Sequence, residues 1–265
     1  MAGGRGTDRG QRAWRITGTL ALVLATAFGA VQTWGLVVQQ QRMYERAYPV
    51  AVTRVQLDTG SAAVRIRPGE PGRFRVTQRL DWTVRRPRVE TLVVGDLVTV
   101  RMRCNQVLPV VDFGCGALIE LEVPAAVSVD GDASSGSIDV QGLSGDVRLS
   151  ASSGALQLSG LSGKLYARTT SGMVKATGLA SGHVEVSATS GSVDLDFVRP
   201  PHAVSVGVTS GEVSLTLPHG AGYGFAVDHG SGDVHVDTGL SDPASPDTVR
   251  VTTTSGAVNV VPAEG

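Results

Sequence analysis

Thr170-Ser171-Gly172-Met173-Val174 and, one unit later, Thr189-Ser190-Gly191-Ser192-Val193 are two copies of one phrase. The phrase sets a Ser-Gly ahead of apolar residues spaced two apart, and its serines fall at Ser135, Ser153, Ser171, Ser190, Ser210, Ser231 and Ser255. The steps between them are 18, 18, 19, 20, 21 and 24 residues. A fixed period near 20 marks a stacked-repeat chain, in which no unit can bury its apolar face alone.

A second turn sits halfway through the early units, as Gly142-Leu143-Ser144-Gly145, Gly160-Leu161-Ser162-Gly163 and Gly178-Leu179-Ala180-Ser181-Gly182. Between the turns, apolar residues alternate with polar ones at period 2: Ile138/Val140, Leu156/Leu158, Val193/Leu195 and Val213/Leu215 face one way, and Asp139, Gln157, Asp194 and Glu212 the other. The fold class expected is all-β: a parallel β-solenoid with two short strands per coil of 18–24 residues, over 131–265. Leu143, Leu161 and Leu179 should stack as an internal ladder. Outward ladders should read Asp139, Gln157, Lys175, Asp194, Ser214, His235, Asn259 and, on the other strand, Arg148, Tyr166, Glu185. Glycine at the corners is expected to supply positive φ.

Upstream, residues 50–130 alternate less regularly and are read as a capping β region that contains a cysteine pair. Residues 50–103 hold eleven arginines against five acids, a net of +6, whereas residues from 130 onward hold six bases against fourteen acids, a net of -8. The 23 residues Ile16 to Val38 carry no charged side chain, enough for a membrane-spanning helix. Arg5, Arg9, Arg12 and Arg15 precede that run, so the positive-inside bias makes residues 1–15 a cytoplasmic tail. Residues 39–49 become a juxtamembrane linker, and the rest is extracytoplasmic. The competing reading is a signal peptide cleaved near Ala25-Thr26-Ala27.

Cys104 and Cys115 are the only cysteines. Two thiolates do not complete a structural zinc site, and in an extracytoplasmic segment a disulfide is the favoured reading, with inert buried thiols as the alternative. No Gly-x-Ser-x-Gly elbow occurs, and the serines recur because the turns recur. His183, His202, His219, His229 and His235 are scattered along the rod, and the Gly-rich turns lack the carboxylate ring of calcium-binding solenoids. Asp194 and Asp196 with Asp233 and Asp237 are read as a solvated acidic face. The expectation is a protein without catalytic residues, metal or cofactor.

Arg73, Arg75, Arg79, Arg85, Arg86 and Arg88 form the candidate anion-binding cluster, for anionic lipid headgroups or wall polymers. Nucleic acid is disfavoured by the outside location and by the lack of interleaved aromatics. The Ser-Gly-x-apolar-x-apolar units, after one apolar N-terminal segment and a Cys pair, resemble the bacterial adhesin-type family DUF4097, related to toastrack envelope-stress modules, over about residues 50 to 265. The resemblance implies the repeat fold and no catalytic group. Three functions follow as expectations: a membrane-anchored, non-enzymatic adhesin or scaffold; a sensing partner of a membrane signalling protein; and, disfavoured by the absence of a convergent Asp/Arg/Lys/His group, a polysaccharide-active β-helix enzyme.

Overall fold

The computed structural model describes residue 26 and residues 40–82, 86–104 and 115–263. The expected tail at 1–15 and, apart from Thr26, the expected helix at 16–38 lie outside the described residues. Among the described residues no helix is long and apolar enough to cross a membrane.

Among the described residues there are eighteen strands. The first seven are β1 (Gln40–Tyr48), β2 (Arg54–Gly60), β3 (Ala63–Pro68), β4 (Phe74–Trp82), β5 (Arg88–Val94), β6 (Leu97–Arg103) and β7 (Cys115–Val123). The repeats follow as β8 (Ser128–Ala133), β9 (Ile138–Gln141), β10 (Val147–Ala151), β11 (Ala155–Ser159), β12 (Leu165–Thr169), β13 (Met173–Leu179), β14 (His183–Phe197), β15 (Ala203–Leu217), β16 (Gly224–Ser231), β17 (Val234–Val236) and β18 (Thr248–Pro262).

Coils stack through parallel ladders into two facing sheets. One sheet runs β5, β6, β2, β8, β10, β12 and then the first halves of β14, β15 and β18, ending on β16. The other runs β1, β4, β7, β3, β9, β11, β13 and the second halves of the same long strands, ending on β17. A single apolar core fills the space between, with Leu143, Leu161 and Leu179 buried at one corner as the 18-residue spacing predicts. Lys175 faces Asp194 across neighbouring coils with 3.2 Å between charges. Arg148, Tyr166 and Glu185 stand in one column.

The stack departs from chain order at both ends. The last strand, β18, inserts between β15 and the β16/β17 coil, so the outward ladder reads Ser214, Asn259, His235, with the final pair reversed from expectation. At the other end β2 and β3 lie inside the stack, between the β6/β7 coil and the β8/β9 coil, so part of the stretch read as a cap is a coil of the rod. Each end is therefore pinned. The terminal strand β18 buries Val249, Val251, Val258 and Val260 on both of its flanks, each worth about 1.5 to 3 kcal/mol of burial. The true cap is antiparallel: β5 folds back on β6 through Gly95 (φ 59°), and β4 and β1 extend the second sheet beyond β7. The expected linker at 39–49 is thus largely the strand β1, recruited by the edge of β4.

The corner glycines answer two separate demands. Gly142, Gly160 and Gly178 take φ of 63°, 61° and 64°, as expected for a tight turn. Four of the seven Ser-Gly glycines differ: whereas Gly211, Gly232 and Gly256 have φ of 155°, 120° and 150°, Gly136, Gly154, Gly172 and Gly191 are not among the positive-φ residues. Instead they stack directly on one another. A Cβ on Gly154 would sit 1.9 Å from the carbonyl oxygen of Gly136, and one on Gly191 would sit 1.9 Å from that of Gly172. The column continues through Gly211, Gly256 and Gly232, the same reversed order that the strands follow.

Candidate functional site

Outward positions of the first sheet line a groove of about 610 Å³ that crosses β2, β8, β10, β12 and β14. Strand alternation brings Gln56, Asp130, Arg148, Tyr166 and Glu185 into one column. The neighbouring column carries Asp132, Ser150, Arg168 and Ser187. Arg148 lies 4.8 Å over the Tyr166 ring and 3.6 Å from an Asp130 oxygen. Arg168 Nε donates to Ser187 Oγ at 3.2 Å, and Ser150 Oγ donates to Asp132. Three arginines (Arg54, Arg148, Arg168) meet three acids (Asp130, Asp132, Glu185), so the groove is polar and close to neutral. Its charged and hydroxyl side chains pair with one another across neighbouring strands, which is the chemistry of a hydrogen-bonding surface. Sequence reading found the Arg148 column but missed the groove.

The arginine cluster divides. Arg73 lies 2.6 Å from Glu70, and Arg75 lies 3.5 Å from Glu45 and 3.3 Å from Glu122, so these two are neutralised in place. Arg79, exposed on β4 between Met43 and Leu118, forms no ion pair among the described residues. Arg86 stacks 4.9 Å over Tyr44 and 5.7 Å from Trp82. Arg88 is exposed opposite Arg103, and Arg85 lies outside the described residues. What gathers at this end is a cationic and aromatic surface rather than a six-arginine patch. Met43 and Tyr44 on β1 and Leu92 and Val94 on β5 supply four of the six exposed large hydrophobic side chains among the described residues.

Elsewhere the charges serve the stack. Arg65 reaches Asp139 at 3.1 Å and Glu120 at 3.0 Å, and these hydrogen bonds hold its guanidinium pKa above the ordinary value. His202 Nδ1 lies 2.9 Å from Asp247, with the His183 ring 6.3 Å away. Among the described residues no group of three or more His, Cys, Asp or Glu is placed to hold a metal ion. Asp194 and Asp196 on β14 are separated from Asp233 and Asp237 by the coils of β15 and β18. Cys104 follows β6 and is half-buried against the core, and Cys115 opens β7 opposite Trp82.

The family model described as Toastrack DUF4097 matches residues 116–261, more than half of the chain. The chain belongs to the Toastrack DUF4097 family. The match begins inside β7, so the coil of β2 and β3 and the arginine-bearing cap of this Toastrack chain lie outside it, a shorter span than the resemblance implied. Among solved structures, a putative adhesin from Parabacteroides distasonis is 14% identical, covering 83% of this chain and 96% of its own, with a TM-score of 0.49. A putative adhesin from Bacteroides fragilis is 12% identical over 84% of this chain and 97% of its own, with a TM-score of 0.45. A putative cell adhesion protein from Clostridium sporogenes is 14% identical over 84% and 100%, with a TM-score of 0.38. No curated protein matches the chain.

Proposed function

We propose that this Toastrack protein is a non-enzymatic, single-pass cell-envelope protein. Residues 16–38 cross the membrane, residues 1–15 stay in the cytoplasm, and the rod stands outside and presents its faces for binding, as an adhesin or scaffold. One observation carries this reading: the end of the stack where the chain arrives from residue 39 is the end that exposes Met43, Tyr44, Leu92 and Val94 among Arg42, Arg46, Arg79, Arg86 and Arg88. Apolar tips amid guanidinium groups suit the headgroup layer of an anionic bilayer, where stems bury and charges meet phosphate. The groove on the outer face of the first sheet, running from β2 to β14, is then the surface for a polar ligand of the envelope.

Outside the cytoplasm Cys104 and Cys115 pair, tying the end of β6 to the start of β7. A loop this short gains about 2 to 3 kcal/mol on the chain-entropy account.

Alkaline phosphatase fused after Gly265 tests the topology and should be active, while a cytoplasmic fluorescent reporter fused there should stay dark. The reverse pattern sinks the anchored reading. In the same cells maleimide should label the two cysteines only after reduction. Replacing Arg79, Arg86 and Arg88 with serine should weaken sedimentation of residues 39–265 with anionic vesicles, and salt should mimic the change. Unaltered sedimentation would remove the lipid contact.

A further inference from the structure

β1 is an edge strand with one edge in use. It pairs with β4 without a break, from Gln40 opposite Trp82 to Tyr48 opposite Phe74, and among the described residues no strand is paired to its other edge. Proteins commonly blunt such an edge with proline, a bulge or an inward charge. β1 has neither proline nor bulge, Gln40 through Ala47 are all exposed, and its inward charges are Arg42 and Arg46, opposite buried Leu80 and Val76.

The strand is also complementary to itself, and one register gives the widest overlap without opposing like charges. Two antiparallel strands must turn the same kind of edge toward each other, so in two copies of one strand the facing residue numbers differ by an even number. A two-fold axis at Met43 sets Met43 against Met43, Arg42 against Tyr44, Gln41 against Glu45 and Gln40 against Arg46, each of the last three occurring twice. No like charges meet. Moving the axis to Tyr44 opposes Arg42 to Arg46 twice, and moving it to Arg42 or Glu45 opposes two identical charges. Like charges directly opposite are destabilising, whereas guanidinium over an aromatic ring is favourable.

We propose that the free edge of β1 is an interface between two copies of this chain, paired antiparallel about a two-fold axis at Met43. The pairing joins the second sheets of two rods into one continuous sheet, an isologous contact that closes on itself and leaves the second sheet no free edge at that end. In this register the seven residues Gln40–Arg46 face one another, a small interface. The pairing therefore gains most from the crowding of chains in one bilayer, and on that point alone it leans on the anchored reading.

The test uses the full chain reconstituted in vesicles of neutral lipid, with flotation reporting anchoring separately from cross-linking. Met43→Cys should give a disulfide-linked dimer under mild oxidation, several-fold above Glu45→Cys, above Met173→Cys at a remote exposed site, and above the unsubstituted chain with its own two cysteines. Gln40→Glu places two carboxylates opposite two Arg46 side chains and should raise the cross-linked fraction of the Met43→Cys chain about threefold, whereas Gln40→Lys should lower it by a similar factor. A chain that floats with the vesicles yet links no better through residue 43 than through 173 overturns the interface. So does a cross-linked fraction that both Gln40 substitutions move in the same direction. If residue 43 resists a water-soluble maleimide in vesicles but forms no dimer, lipid covers the edge and the proposal fails.

Discussion

Gly191→Ala isolates what the Ser-Gly phrase does. The new Cβ would lie 1.9 Å from the carbonyl oxygen of Gly172, where Cβ atoms do not come within 3.0 Å, so the corner must retreat by about 1.1 Å. Ser190 N donates to Thr170 O at 2.7 Å across the same junction, and that retreat stretches it beyond bonding distance. Retreat in the other direction is blocked, because Gly211 already leans on the Gly191 carbonyl from the next coil, its own Cβ position lying 1.8 Å away. Overpacking of about 1 to 3 kcal/mol joins the loss of one or two ladder bonds at about 1 kcal/mol each, giving about 3 kcal/mol in all. For a chain of this size that lowers Tm by about 10 °C. Gly207→Ala is the control: nothing lies within 4 Å of its Cβ position and its φ is not positive, so it should melt within about 2 °C of the parent. Gly178→Ala, with φ of 64° and its nearest atom 3.9 Å away, should fall between them at about 1 kcal/mol. Calorimetry of the three variants decides the matter. Equal melting of the Gly191 and Gly207 variants would refute the stacked-glycine argument.

Val193→Asp or Leu215→Asp should cost several kcal/mol, since both side chains are at most 1% exposed and a carboxylate there has no partner, while Asp194→Asn should cost under about 1 kcal/mol because its ion pair with Lys175 is largely solvated; equal denaturation midpoints would reverse the inward and outward assignment. Tyr223 is fully buried with its hydroxyl unpartnered, so Tyr223→Phe should stabilise by about 1 kcal/mol, and a loss on melting would reveal a bond to that hydroxyl. Burial first and Asp247 second raise the Tyr223 pKa in the folded chain, so the unfolded chain ionises first and stability drains away as pH climbs above about 10; the phenylalanine variant should lack that step in an alkaline titration of unfolding.

The residues that were legible as a site were those whose neighbours are set by the repeat length. Arg148, Tyr166 and Glu185 lie 18 and 19 positions apart, and one coil later means one strand over. The arginine cluster was not legible in this way. Its partners Glu45, Glu70 and Glu122 reach Arg73 and Arg75 through a turn and two antiparallel pairings that follow no repeat. The same holds for Arg86, whose ring partner Tyr44 is 42 residues away on a strand read as linker.

By itself the sequence determined the coil: its length, its two strands, the faces of Val193 and Asp194, and the corner ladder of Leu143, Leu161 and Leu179. Side-chain alternation and turn chemistry are local, so they are written where they act. Only the tertiary structure decided the order in which coils stack. A parallel ladder offers every coil of this design the same backbone bonds and the same apolar column, so the period names the unit without naming its neighbour. What places β18 between β15 and β16, and β2 between β6 and β8, is the closure of the two exposed ends, a property of the whole rod that no single coil carries.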